Sequence, residues 1–262
     1  MSLKKRVVYT AIFGGYDTLH EPKGLNEDID FVCFTDDPTL RSQKWRVVLV
    51  SDKTLNNSMR NRRYKFFPNI YLNDYDESLY IDGNISICSD SIANLFEKYL
   101  TENKIAIPFH SERNCIYKEA KKCIEVSKGD PIKINSQIEF YKKVGFPSNY
   151  GLYENNVILR KHNDSVIISL MEAWFQQLAE FSARDQLSLC FLMWKYKIKC
   201  GSILEGPRFS NKYLKIGFHR TEENLPILNK VILYIYLNRR RNGVYLCTSK
   251  LIEYGKRLRE KL

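Results

Sequence analysis

Asp82, Gly83 and Asn84 interrupt an apolar run, Ser78–Ile87, that otherwise alternates as a buried strand does. With only one residue between them, the two side-chain oxygens could turn toward one hard cation if Gly83 allows a sharp bend. A divalent ion held by few protein ligands keeps water and takes substrate phosphates, which suits a nucleotide diphosphate. Asp-Gly-Asn is also a good turn sequence, so the triplet alone leaves a plain turn open. A second carboxylate stands in Ser182-Ala183-Arg184-Asp185-Gln186, where Ser182 could cap a helix carrying Asp185 in its first turn. Arg60, Arg63 and Lys65 share one basic segment, and arginine forks suit phosphate oxygens, although such a helix can equally be a wet surface.

These groups need a frame. Arg6–Phe13, Asp30–Phe34, Trp45–Val50, Ser78–Ile81, Ile105–Phe109 and Asn156–Arg160 read as strands. Asn57–Phe67, Ser91–Tyr99 (capped by Ser89 or Asp90), Cys115–Ser127, Ile134–Val144, Asp164–Phe181 and Asp185–Trp194 read as helices. Strands alternating with helices through the first half imply an α/β domain with a mostly parallel sheet. Ligands then gather at the carboxyl ends of the strands. Three polar clusters fall there: Thr10 with Gly14-Gly15, Thr35-Asp36-Asp37, and Asp82-Gly83-Asn84.

At 262 residues, 44% of them hydrophobic and 27% charged, the chain has the composition of an ordinary globular protein with an ample core. Seven scattered cysteines without a CxxC pair argue for reduced thiols and against a zinc site. MSLKKRVVYT passes straight into a strand-like run, so no secretory leader is expected, and no apolar run reaches the roughly 18 residues of a membrane span. The expected location is cytoplasmic. There is no G-x-S-x-G elbow, Walker loop or G-x-G-x-x-G fingerprint. Of the +11 net charge, +8 falls after Asn211. With the compositional break near Thr221, the expected organisation is one domain over 1–220 and a basic, mainly helical appendage over 221–262. There, Val231–Leu237 followed by Arg239-Arg240-Arg241 could be an interfacial segment on an anionic inner leaflet, or a docking or dimerising helix.

In order along the chain, YTAIFGGYD (Tyr9–Asp17), FVCFTDDP (Phe31–Pro38), RRYKFFP (Arg62–Pro68), YIDGNI (Tyr80–Ile85), HSERNCIYKEA (His110–Ala120), GLYENNVILRKH (Gly151–His162) and SARDQLS (Ser182–Ser188) resemble the GT-A nucleotide-sugar glycosyltransferases. More narrowly, they resemble the glycosyltransferase-like family shared by bacterial surface-polysaccharide loci and plant mucilage-related proteins. The resemblance implies a GT-A fold, a mixed sheet flanked by helices, with Mn²⁺ or Mg²⁺ as cofactor. It also implies a nucleotide diphosphate sugar donor, with UDP the commonest nucleotide, and a glycan or lipid-linked acceptor. Asp82, Asn84 and His219 would hold the metal, with Asn84 standing where many members have a second carboxylate; a lone histidine such as His219 can also be structural. Thr10, Ala11, Phe13, Tyr16, Thr35 and Asp36 would hold base and ribose, unless Phe13 is core. Arg60, Arg63 or Lys65 would approach the diphosphate beside Asp82 and Gly83. Asp185 would be a general base in an inverting reaction or an orienting group in a retaining one. Glu154, Asn155 and Asn156, with His110 and Arg113, would line the sugar or acceptor pocket. The reading from another class is a catalytically silent nucleotide-sugar or nucleic-acid binder, the latter drawing on Tyr234, Tyr236, Tyr245 and Tyr254 in the tail.

Overall fold

The computed structural model describes residues 4–24 and 28–259. Its strands are β1 (Arg6–Ile12), β2 (Ile29–Thr35), β3 (Arg46–Leu49), β4 (Glu77–Ile81), β5 (Ile85–Ile87), β6 (Ile105–Ile107), β7 (Val157–Arg160), β8 (Gly201–Ser202) and β9 (Leu214–Ile216). Seven of them form one mixed sheet in the order β3-β2-β1-β4-β7-β6-β8, while β5 and β9 pair separately. The strands β3, β2, β1 and β4 are all parallel; β7 runs antiparallel to both β4 and β6. The expected mixed α/β sheet flanked by helices is present, and its departure from an all-parallel arrangement lies at β7.

Burial on both faces explains the near-continuous apolar strands. Along β1, Val7, Tyr9 and Ala11 enter one core with Phe34, Tyr80 and Ile158, whereas Val8 and Ile12 enter the other with Leu79, Ile81 and Leu159. This is the period-two alternation of a strand covered on both sides.

The helices are α1 (Asn57–Phe66), α2 (Pro68–Tyr71), α3 (Ala93–Leu100), α4 (Ile116–Glu125), α5 (Pro131–Lys143), α6 (Ser165–Glu180), α7 (Leu189–Tyr196), α8 (Arg220–Glu223), α9 (Ile227–Asn238) and α10 (Gly243–Arg259). Side-chain caps start several of them: Asn56 accepts from Met59 N–H, Asp130 from Ile132 and Lys133, Asp164 from Val166, and Asn242 from Tyr245. At α3 the expected cap is absent: the helix follows Ile92, while Ser89 and Asp90 bond Ser91 in the preceding turn. Residues 185–194 are not one helix either. Asp185–Leu187 is a 3₁₀ turn, because the Asp185 carbonyl accepts from the Trp174 indole as well as from Ser188. Ser182 is no cap; its hydroxyl donates to Gln137 at 2.7 Å.

The sheet register places the functional loops. In β1 and β4, Tyr9 pairs with Tyr80 in parallel, so the loops beginning at Phe13 and Asp82 leave the same edge in step. Antiparallel β7 enters the sheet where β4 leaves it, with Ile81 opposite Val157. This brings Asn156 beside Asp82, whose N–H donates to the Asn156 carbonyl at 2.9 Å. The segment after β6 returns to the same edge, with His110 N–H donating to the Leu152 carbonyl at 2.8 Å.

The helices α9 and α10 pack on each other, and the end of α9 is fastened to the sheet domain. Arg239 and Arg240 pair with Glu112 at 2.8 and 3.0 Å, Arg241 donates to the Pro207 carbonyl, and Leu237 packs against the core. The tail arginines are therefore engaged with protein. The outer side of the helix pair still exposes Ile227, Leu228, Val231, Val244, Leu251 and Tyr254. Among the described residues no helix is long and apolar enough to cross a membrane. All seven cysteines are free thiols.

Candidate active site

The converging loops line a cavity of about 1000 Å³ at the carboxyl ends of β1 and β4. Helix α1 forms one wall through Asn57, Asn61, Arg62 and Lys65, the helical spacing that puts those four on one face. Its inner end is held from beneath: the buried Arg160 guanidinium and the Tyr9 hydroxyl both donate to the Lys65 carbonyl. Asn61 donates to the Ala11 carbonyl at 2.6 Å, locking the helix to β1.

Gly83 serves the turn in an unexpected way. Asp82 accepts from Ile85 N–H across the turn, but Gly83 does not occupy the left-handed region. What it supplies is room: a Cβ there would stand 2.7 Å from Asp17 Cβ and 3.0 Å from Ile12. The loops of β1 and β4 approach that closely, and Asp17 is thereby delivered to the site.

Around the turn, the Tyr80 hydroxyl donates to Asp82 Oδ1 at 2.9 Å, with Lys65 Nζ 3.5 Å from the same oxygen. His219 Nδ1 lies 2.7 Å from Asp17 Oδ1, which leaves Nε2 facing Asn84 at 3.5 Å. Burial alone would lower the His219 pKa, but the bond and charge of Asp17 outweigh it and the net shift is upward. A carboxylate on one ring nitrogen is the arrangement that orients a histidine whose other nitrogen binds a metal. Asn84 Nδ2 donates to the Gly217 carbonyl at 3.2 Å and faces His219, so its nitrogen and not its oxygen is turned to the imidazole. Among the described residues no three His, Cys, Asp or Glu side chains cluster as a metal site. Asp82 and His219 both line the cavity, and a divalent ion held by that pair would need further oxygens from a phosphate ligand.

Asp185 lies at the cavity floor. Its Oδ2 accepts from Lys65 Nζ at 2.8 Å and sits 3.5 Å from Arg62 Nε. Burial would raise its pKa, yet Lys65 first and Arg62 second hold it far below the usual carboxylate range. A carboxylate so stabilised as the anion is a weak proton acceptor, which favours the orienting role over the general base.

Beside it, Glu154 is 3% exposed and Asn155 2% exposed. Glu154 Oε1 accepts from Ser111 N–H and Oγ and forms an ion pair with Arg208 Nε at 3.1 Å. Its Oε2, both amide atoms of Asn155 and Oδ1 of Asn156 are buried in the cavity wall without a partner. Buried polar atoms left unpaired are costly, and a ligand with hydroxyls would satisfy them.

Of the residues expected to hold nucleotide, Ala11, Phe13, Tyr16, Lys65, Asp82 and Gly83 line the cavity, whereas Thr10, Thr35, Asp36, Arg60 and Arg63 do not. Thr10 is buried in β1, and Thr35 accepts from Asp37 N–H to close a turn. Asp36 accepts from Gly14 N–H at 2.9 Å and from Arg60 at 2.8 Å, and thus shapes the β1 loop. Arg60 is buried with its guanidinium 4.3 Å over the Phe13 ring, and Arg63 faces outward to Asp52. Phe13 itself is core, with Tyr64 at 5.5 Å. The aromatic ring open to a base is Tyr16, 56% exposed and 4.9 Å from the His219 ring. His110 and Arg113 line the cavity as expected.

Sequence reasoning missed Asp17, Asn57, Asn61, Arg62, Arg184, Arg208 and the tail pair Arg239 and Arg240, all in the lining. The face of α1 could have been found, since Asn57, Asn61 and Lys65 are spaced by four. Asp17 and Arg208 lie in loops, where spacing carries no such signal.

One solved structure, of the bifunctional glycosyltransferase WbbM without ligand, shares 11% identity at a TM-score of 0.45, over 92% of this chain and 45% of that one. Another, the Streptococcus pneumoniae glycosyltransferase GlyE, shares 14% at 0.40, over 78% and 46%. A probable hexosyltransferase of Arabidopsis thaliana, MUCI70, is 28% identical over 217 residues, covering 70% of this chain. The chain spans only 36% of that relative's length. The model of the TOD1/MUCI70 glycosyltransferase-like domain matches residues 1–205, and the chain belongs to that family.

Proposed function

We propose that this chain is a hexosyltransferase using a nucleotide diphosphate sugar, UDP-linked by preference, and a glycan or lipid-linked acceptor in surface polysaccharide synthesis. The observation that carries this reading is the row of unpartnered buried oxygens and amides at Glu154–Asn156, set within one cavity beside Asp82 and His219. Tyr16, Asn57 and Asn61 would take the base and ribose. Arg62 and Lys65 would face the diphosphate, and Asp82 with His219 would hold Mn²⁺ or Mg²⁺. That ion, when bound, neutralises the diphosphate as it leaves. Asn155 and Asn156 would bond sugar hydroxyls, while Glu154 Oε2 accepts one more. Asp185, fixed as an anion by Lys65, would stabilise positive charge developing at the anomeric carbon as its bond to the diphosphate breaks and the acceptor oxygen bonds to it, the acceptor's hydroxyl proton passing to the departing diphosphate.

The exposed apolar side of α9 and α10, interspersed with Lys230 and Lys250, supports a second element of the reading: a cytoplasmic enzyme resting on the inner leaflet where lipid-linked acceptors lie. The nucleic-acid reading is less well supported, since Tyr234 packs on Phe218 and Tyr245 and Arg239, Arg240 and Arg241 bond to protein, although Tyr254 is exposed. The test is a melting-temperature panel of nucleotide diphosphates with and without Mn²⁺ or Mg²⁺, followed by nucleotide-sugar turnover. A metal-dependent upward shift is expected. No shift with any nucleotide would sink the enzyme reading, and a shift without turnover on any acceptor would leave a binding module.

A further inference from the structure

The cavity has a second half, and its charge is unlike that of the first. Its lining comes from the loop after β6, helix α4 and the loop that follows it, the residues before the 3₁₀ turn, the segment between β8 and β9, and the end of α9. Five separate segments contribute cations to it: Arg113, Lys122 with Lys128, Arg184, Arg208, and the pair Arg239 and Arg240. The carboxylates of the same region are Glu112, Glu119 and Glu154. All three are consumed: Glu112 by Arg239 and Arg240, Glu119 by Arg113 at 2.5 Å, and Glu154 by Arg208 at 3.1 Å. Lys122 is answered by Glu125 at 3.2 Å, and the other six cations against three carboxylates leave an excess of positive charge inside a concave wall, where it is least screened.

Two details show that this charge is not fully met within the protein. Arg184 lies against Gly129, whose Cβ would come within 3.3 Å of it, and its Nε is buried without a partner. Its other contacts are a long bond of 3.4 Å to Gln186 and one to the Cys123 thiol, with its charge also felt by Asp185. His110, at the centre of the group, is held neutral, its pKa pushed down to about 3 by burial and by the charges of Arg113, Arg208 and Arg239. Burial is the larger cause, and the three arginines add to it against Glu119 at 3.7 Å.

Guanidinium forks match the paired oxygens of carboxylates and phosphates, and neutral sugar hydroxyls have no need of so many. The donor diphosphate does not account for them, because Arg62, Lys65 and the Asp82 turn already face it from the other half. We propose that this half of the cavity is an acceptor subsite for an anionic glycan, one bearing a carboxylate or a phosphate ester near the hydroxyl that receives the sugar. The inference rests on the transferase reading above.

The experiment is calorimetric titration of the whole chain with four probes: a hexuronate trisaccharide, the same trisaccharide reduced to neutral hexoses, a hexose 1-phosphate, and inorganic phosphate. Binding of the uronate identifies a carboxylate acceptor, and binding of the hexose 1-phosphate a phosphate-bearing one. The neutral trisaccharide should bind at least about tenfold more weakly than the preferred anion, and Arg184→Gln should weaken that anion by about tenfold, the usual worth of a hydrogen bond to a charged group. The metal-dependent nucleotide melting shift, measured on the same variant, reports that it is folded. Equal affinity for neutral and charged trisaccharides, or an Arg184→Gln variant that binds both anions as the parent does, would overturn the proposal. So would inorganic phosphate binding as tightly as either anionic sugar, which would mark an adventitious ion site. Loss of the nucleotide shift in the parent chain with anion binding intact would instead strike the transferase reading, and with it the word acceptor. An intact nucleotide shift without anion binding strikes this inference alone.

Discussion

Lys65 and Asp185, 120 residues apart in sequence, meet at 2.8 Å in a buried ion pair that joins α1 to the floor of the cavity. The pair is nearly sealed, with side-chain exposures of 1% and 8%. Removing one partner strands a charge in the interior, so Lys65→Met should cost about 3–5 kcal/mol of stability in urea denaturation. The double variant Lys65→Met with Asp185→Leu should lose clearly less than the two single losses added together, because it strands neither charge. Additive losses would show that the pair is no unit. Asp185→Asn, which keeps shape and loses charge, should preserve the nucleotide melting shift while lowering turnover.

Asn84 turns its amide nitrogen to the Gly217 carbonyl, and this sets apart two variants of the turn. Asn84→Asp removes that donor and leaves a carbonyl unpaired, which should lower stability without ligand by about 1–3 kcal/mol. It also adds a carboxylate beside Asp82, so the Mn²⁺-dependent part of the nucleotide melting shift should grow. Asp82→Asn should abolish that part while keeping the Tyr80 bond and an unliganded melting temperature near the parent's. If Asn84→Asp reduces the metal dependence, the residue is not next to the ion.

Gly83 and Gly255 make a matched pair of tests. A methyl at Gly83 meets Asp17 Cβ at 2.7 Å, and overpacking of this kind should cost about 1–3 kcal/mol. Because Asp17 carries His219, Gly83→Ala should also weaken the nucleotide response. Gly255 lies within α10 with nothing near its Cβ position, so Gly255→Ala should instead stabilise by up to about 1 kcal/mol. Thermal melts of both variants, with and without UDP and Mn²⁺, give the signs.

Much of this arrangement was legible in sequence because it depends on local pattern. Val7–Ile12 and Leu79–Ile81 declare themselves as strands by composition, and Asp82-Gly83-Asn84 marks the end of one of them. The direction of β7 did not, since NVILR reads the same in either orientation, and that direction is what brings Glu154–Asn156 to Asp82. The basic run of α1 was visible, but choosing among its cations required the helical phase. Arg62 and Lys65 share the inner face with Asn61, while Arg63 looks out at Asp52. The fastening of the tail to Glu112 pairs residues about 130 apart, and nothing in either segment names the other.

Two buried histidines should govern the acid limb of stability. His110 is flanked by Arg113, Arg208, Arg239 and Glu119, and burial followed by the arginines pushes its pKa down to about 3. His162 donates from Nε2 to the Leu72 carbonyl, and burial followed by Arg160, against smaller opposing pulls from that bond and then from Asp76, pushes its pKa down to about 4. Unfolded histidine titrates near 6.5. Between that pH and the folded values the unfolded chain binds more protons, so stability rises with pH and is lost as pH falls below about 6.5. Each histidine can contribute up to about 1.4 kcal/mol per pH unit within its window. His110→Asn and His162→Gln, which keep the main hydrogen-bonding atom, should each flatten the stability profile between pH 6.5 and 4.5, above the range where carboxylates dominate. Denaturation midpoints across that interval decide the matter: slopes equal to the parent's in both variants would mean that neither histidine is held neutral.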